Sequence, residues 1–297
     1  MTHASAIAQS QNTPDAIQLL RAIAVAHRRA QLVQTAGLVI SLVLAGLGVL
    51  ATWWHPVTTA VALLGAGWAA VYAVFLVPWS RQRLRLAAVI QEMFDTEVLR
   101  LPWNPVLAGD PTAAAQVSQL SREFRGREGN LHDYYLAAAE PYPQDMLFCL
   151  EQNLAWGPRV RRRYADAIAG VAAVWCVAGA VVGFVRQMTL ASLVTSWFVP
   201  SLGLLLLCLD TYRAQHRANG ERDRVLHILY ARQAEPPGRY TEQDWVPFAR
   251  QVQDIIFQSR QQQPRVPNWF FRRFHDRDQT DFATAMRMRQ THRPTGT

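Results

Sequence analysis

The sequence predicts an all-α membrane protein: four transmembrane helices in two hairpins, with a helical cytoplasmic domain built from the middle segment and the C-terminal tail. Three observations carry that expectation. Four uncharged apolar runs are each long enough to cross a bilayer, arginines mark their flanks, and no stretch alternates as a half-buried strand would. A mean hydropathy near zero fits such a mixture of spans and polar helices.

The elements follow in order. Residues 1–35 form an N-terminal cytoplasmic segment. Its first 16 or so residues are polar, small and expected to lack structure, and an amphipathic helix from Asp15 to about Arg29 lies along the membrane or feeds into it. Hairpin 1 occupies 36–79. AGLVISLVLAGLGVLATWW (36–54) has 19 residues with no ionisable group, a reach of roughly 30 Å at about 1.5 Å per residue. The chain turns at His55-Pro56 and returns as 57–79. Residues 80–165 form a cytoplasmic helical region, hairpin 2 covers 166–209 with the short connection RQMT, and 210–297 form a C-terminal helical region. Trp53, Trp54, Trp79 and Trp197 include several near span ends, as an interfacial aromatic belt requires.

Orientation comes from the loops. The first tip has no arginine and the second only Arg186. Arg28 and Arg29 precede span 1, Arg81, Arg83 and Arg85 follow span 2, Arg159 and Arg161 to Arg163 precede span 3, and Arg213 and Arg217 follow span 4. The positive-inside rule puts both termini and the middle segment in the cytoplasm. Every one of the 30 Lys+Arg residues is Arg, a bias that a GC-rich genome would also produce. The formal charge of +8 does not point to DNA or RNA, because residues 81–165 hold eleven Arg against ten Asp and Glu, with the arginines crowded beside the apolar runs.

Several function classes are disfavoured. No P-loop, nucleophile elbow or zinc-protease pattern occurs, so the chain is not read as an enzyme. Cys149, Cys176 and Cys208 lack a CxxC partner, and no metal or cofactor is expected. No carboxylate or histidine sits at membrane depth, where an ion-coupled transporter needs one. Small residues instead sit at helix-contact spacing, Gly179-xxx-Gly183 among them. Such spacing serves packing within one protomer or between protomers. The hydroxyls of Ser192, Thr195 and Ser196, together with Pro200, make span 4 the better pore-lining candidate.

Three cytoplasmic stretches combine aromatics, amides and arginines: RLPWN (100–104), the pair NLHDYYLAAAEPYP (130–143) and NLAWGPRVRRRY (153–164), and PRVPNWFFRRF (264–274). Structural corners account for them, and so does a ligand site in which rings stack a base and guanidinium forks hold phosphate. On the second reading the phosphate contacts are Arg100, Arg162, Arg163 and Arg265, the stacking residues Trp103, Tyr135 and Trp269, and Asn104 a further contact.

QEMFDTEVLRLPWN, CLEQNLAWGPRVRRRYA and PRVPNWFFRRF occur in this order around two apolar hairpins. Together they resemble the SMODS-associated four-transmembrane (S-4TM) pore-forming effectors of bacterial CBASS anti-phage systems, over roughly residues 15–290. Phe94, Asp95, Leu101, Pro102, Trp103 and Asn104 match the most specific string, FD-x5-LPWN. The resemblance implies a bacterial inner-membrane protein whose activating ligand is a cyclic nucleotide made by a CD-NTase-type synthase. It also implies a homo-oligomer that permeabilises or depolarises the membrane and causes abortive infection. The alternative is a non-enzymatic membrane scaffold that recruits a cytoplasmic partner.

Overall fold

The computed structural model describes residues 6–136, 140–236 and 238–263, together with 266, 267, 270 and 273. Among these residues the regular structure is entirely helical. The helices are α1 (Ala6–Ser10), α2 (Pro14–Ala51), α3 (Thr58–Val71), α4 (Val77–Leu99), α5 (Pro105–Ala108), α6 (Ala114–Arg122), α7 (Gln144–Ala155), α8 (Pro158–Val185), α9 (Leu190–Leu193), α10 (Val199–Gln233) and α11 (Glu242–Gln262). The terminal helix expected through FFRRFHDRDQTDFATAMRMRQ lies outside the described residues, apart from Phe270 and Arg273.

The chain forms two compact units. One comprises residues 1–28, 84–161 and 217–297; the other comprises 29–83 and 162–216. The second is the membrane unit. Among the described residues, four helical stretches are long and apolar enough to cross a bilayer. Large apolar side chains such as Val43, Leu63, Phe75, Val174 and Phe184 stand exposed on this unit, the pattern lipid-facing helices need. π-helical turns at Tyr72–Leu76 and Val194–Phe198 join α3 to α4 and α9 to α10 without breaking either rod.

Apolar contact cannot hold spans together in lipid, so close packing and hydrogen bonds do it instead. Trp68 Nε1 donates to Ser41 Oγ at 2.9 Å, and Trp175 Nε1 to Ser201 Oγ at 2.9 Å. At Gly65 the two hairpins touch through bare backbone: a Cβ there would lie 2.4 Å from Pro200 Cα. The tips are clasped as well, with the Arg186 guanidinium 4.3 Å from the Trp53 ring centre.

The first unit closes on an apolar core. Ile17, Leu20 and Ile23 of α2 meet Phe94 and Val98 of α4, Met146, Leu150 and Leu154 of α7, Leu229 of α10 and Val252 and Ile256 of α11. One sequence expectation changes here: the stretch before residue 16 contains a helix whose Ile7 is buried in this core. The amphipathic stretch 15–29 feeds into the first span as part of the continuous α2, and its apolar face packs in this core. The long segment before span 3 is also interrupted. Gly157 at φ +79° breaks α7 from α8, a conformation that glycine adopts without strain. Thr241 and Asp244 close a capping box on α11 reciprocally.

Gly65→Ala is expected to destabilise the membrane unit by about 1–3 kcal/mol, because the added methyl meets backbone that cannot move aside. Thermal unfolding in detergent measures it; a wild-type midpoint would show that the hairpins do not depend on this contact.

Candidate functional site

The site grows from a spacing. Glu92 and Asp95 lie three residues apart and therefore on one face of α4. Arg250, Gln253, Phe257 and Arg260 repeat at three and four residues along α11 and so form a single stripe. The two faces meet. Glu92 is 1% exposed and Asp95 0%, so each carboxylate needs compensation for its lost hydration.

Both receive it. Arg250 Nη2 reaches Glu92 Oε1 at 2.5 Å, and Gln253 Nε2 bridges the pair, donating to Glu92 Oε2 at 2.7 Å and Asp95 Oδ2 at 2.9 Å. Arg260 is ion-paired to Asp95 Oδ2. The Tyr135 hydroxyl donates to Asp95 Oδ1 at 2.7 Å and accepts from Asn153 Nδ2 at 2.8 Å, while Asn153 Oδ1 accepts from Arg260 Nη2 at 3.1 Å. The chain's start joins in: Gln11 accepts from Tyr135 N at 2.7 Å and donates to Tyr135 O at 3.2 Å. Burial, then the adjacent Asp95, pushes the Tyr135 phenol well above its ordinary range. Burial opposes the charge on Arg260, but the Asp95 carboxylate together with the Tyr134 and Tyr135 phenols outweighs it and holds the guanidinium firmly protonated.

The LPWN corner is the other half of this clamp. α4 ends in a Schellman-type cap, with Leu101 N bonded to Thr96 O at 3.0 Å and Arg100 N to Glu97 O at 3.4 Å. The left-handed position is held by Arg100 (φ 55°) where glycine is usual, and its guanidinium stands 6.0 Å from the Tyr142 ring centre. Leu101 is buried. Pro102 O accepts from Arg250 Nη1 at 2.9 Å, Trp103 packs with Phe257 and Ala108 and donates to Gly109 O at 2.9 Å, and Asn104 Nδ2 donates to Asp254 Oδ2 at 3.0 Å. Phe94 lies buried against Tyr134 and Tyr135, with centroids at 5.2 and 6.1 Å.

The family model described as the SMODS-associating 4TM effector domain matches residues 5–288. The chain belongs to that family. It is also 20% identical, over 271 residues, to a probable CBASS effector molecule of Bacillus cereus (strain VD146), covering 89% of this chain and 91% of that protein. No solved structure matches it.

In this SMODS-associating 4TM chain, the sequence-derived candidates separate into groups. Phe94, Asp95, Leu101, Pro102, Trp103, Asn104 and Tyr135 come together around the α4–α11 contact, and the polar atoms named above are engaged with protein partners. Arg100 stands exposed at the end of α4, and Arg162 and Arg163 are exposed near the start of α8. Arg265 and Trp269 lie outside the described residues. Within the membrane unit, a Cβ on Gly179 would meet the Trp197 indole and one on Gly183 would meet Leu193. Thr195 and Ser196 return their hydroxyls to Ala191 O and Ser192 O, while the Ser192 N–H caps on Thr189 Oγ1. Pro200 packs on Gly65 and Gly48.

Sequence reasoning overlooked Glu92, Arg250, Gln253 and Arg260. The signal was present in α11, where polar side chains occupy positions that a core-facing stripe would fill with apolar ones.

Asp95→Ala is expected to cost about 3–5 kcal/mol by leaving Arg260 buried without its counter-ion, while a second change, Arg260→Met, should restore part of the loss. Chemical denaturation of the double-mutant cycle measures this, and additive losses would contradict direct coupling. Tyr135 gives a pH-dependent test. Its raised folded-state pKa means its contribution is complete below about pH 10 and is lost as pH rises through the folded-state value. Tyr135→Phe should therefore cost about 1–3 kcal/mol at neutral pH and flatten the alkaline limb of the stability profile.

Proposed function

We propose that the chain is the membrane-acting effector of a CBASS anti-phage response, gated by a cyclic nucleotide made by a CD-NTase-type synthase. The observation that carries this reading is the family match across nearly the whole chain, supported by the similarity to a probable CBASS effector. Four bilayer-length apolar helices supply the membrane-acting part. On this proposal the helical unit receives the ligand. The sites proposed from sequence remain Arg100, Trp103, Asn104, Tyr135, Arg162, Arg163, Arg265 and Trp269.

The physical route from ligand to membrane runs through the helices. α2, α4, α8 and α10 each carry residues of both units. A ligand that rearranges the Glu92–Asp95–Arg250–Arg260 contact changes the seating of α4, and the same rod continues through the π-helical turn into span 2. Oligomers of the chain, both termini cytoplasmic, then permeabilise or depolarise the inner membrane, and the cell stops growing before phage matures. A ligand must prefer the active state to drive such a change.

The test is co-expression with the cognate synthase while membrane potential is followed with a voltage-sensitive dye. Depolarisation should follow nucleotide production. A potential that survives would sink the proposal, and liposomes that leak under no cyclic nucleotide would favour the scaffold alternative.

A further inference from the structure

Arg222, on α10, is 3% exposed, yet its Nε has no hydrogen-bond partner. Its electrostatic neighbours are the cations Arg161 and Arg260, together with the Tyr134 phenol. Among the described residues no carboxylate is ion-paired to it, whereas Arg250 and Arg260 each have one. One turn back on the same helix, Asn219 leaves its buried Oδ1 unpartnered, and its Nδ2 reaches Pro158 O at a long 3.5 Å. That contact sets the Asn219–Arg222 face opposite the first turn of α8, where Arg161 follows three residues after Pro158. A helix N-terminus adds further positive potential there.

A buried guanidinium without a counter-ion is costly, and native proteins rarely leave one uncompensated. The geometry points to an anion subsite formed by Arg222, Arg161 and Asn219, which takes the phosphodiester of a nucleotide ligand. A guanidinium fork matches phosphate oxygens bidentately, and Asn219 adds only its second Nδ2 hydrogen, since its orphaned Oδ1 is an acceptor that an anion does not satisfy. The aromatic component is at hand as well. Tyr134 is 37% exposed, its hydroxyl accepts from Gln91 Nε2 at 2.8 Å, and its ring stands edge-on to Phe94 and Tyr135. An accessible ring beside guanidinium groups suits a nucleotide, whose base stacks while its phosphate is paired. A bare lipid headgroup would leave the ring unused. The subsite also adjoins Arg260, the counter-ion of Asp95, so a phosphate placed there competes for a cation that holds the α4–α11 clamp.

The nucleotide assignment rests on the proposed function; the anion site does not. The experiment uses the full chain in phosphatidylcholine nanodiscs with inorganic pyrophosphate as probe and sodium chloride at matched ionic strength as control. Pyrophosphate should raise the unfolding midpoint saturably by several degrees. Arg222→Met should abolish that rise while being at least as stable as wild type without anion, and Arg222→Lys should keep a reduced one. Arg161→Gln, at a half-buried position, should weaken it and decides the matter if Arg222→Met does not fold. No rise beyond the chloride control, or an unchanged rise in Arg222→Met and Arg161→Gln, overturns the site. If phosphatidylglycerol nanodiscs alone reproduce the Arg222-dependent rise and block pyrophosphate, the ligand is lipid phosphate and the nucleotide assignment falls. Depolarisation in cells separates the two ideas: an Arg222→Met chain that still depolarises with wild-type response overturns this site and leaves the function standing. A wild-type chain that never depolarises overturns the function, and the pyrophosphate result still judges the anion site.

Discussion

The carboxylate of Asp95 is the constraint around which the helical unit is built. A charge removed wholly from water costs several kcal/mol unless the protein replaces its hydration. Here the replacement comes from three separate parts of the chain: Tyr135 from the middle loop, Gln253 and Arg260 from α11, and Asn153 of α7 as the strut between Tyr135 and Arg260. Gln11 pins the backbone of Tyr135, so the N-terminus is tied to the same charge. Apolar contacts in this core would tolerate sliding; an ionic network in which Arg250 and Arg260 each meet a carboxylate favours one register.

The LPWN corner extends that logic. Its four residues stop α4, turn the chain and return hydrogen bonds to α11 through Pro102 O and Asn104. A left-handed arginine at the helix end costs roughly 1–2 kcal/mol that glycine would avoid, and such strain is characteristic of functional segments. Around Asp95 every charge is answered. At Arg222 the same low-polarity interior surrounds a guanidinium that lacks an anion. That contrast, within one unit, is what distinguishes a structural network from a place suited to a ligand.

The membrane unit solves a different problem. Its helices gain nothing from hiding apolar side chains from lipid, so they approach where side chains are smallest and bond where indoles meet serines. The Thr195 and Ser196 hydroxyls of the π turn after α9 are engaged with their own backbone. Large apolar side chains such as Leu63, Phe75 and Phe184 stand exposed along these helices.

The sequence by itself determined the spans, their flanking arginines, the helical class and the motif that identifies the family. Each of these is a local property: an uncharged run of bilayer length, a charge count beside it, a string of adjacent residues. The caps were legible for the same reason, Thr241 and Asp244 being three residues apart. Only the tertiary structure decided that Phe94, Asp95 and Tyr135 are buried together, that Arg250 and Arg260 answer acids more than 150 residues away in the chain, and that Arg222 has no such answer. Each of those facts is a pairing across long sequence separation, set by which helix faces meet, and no residue type or spacing states it in advance.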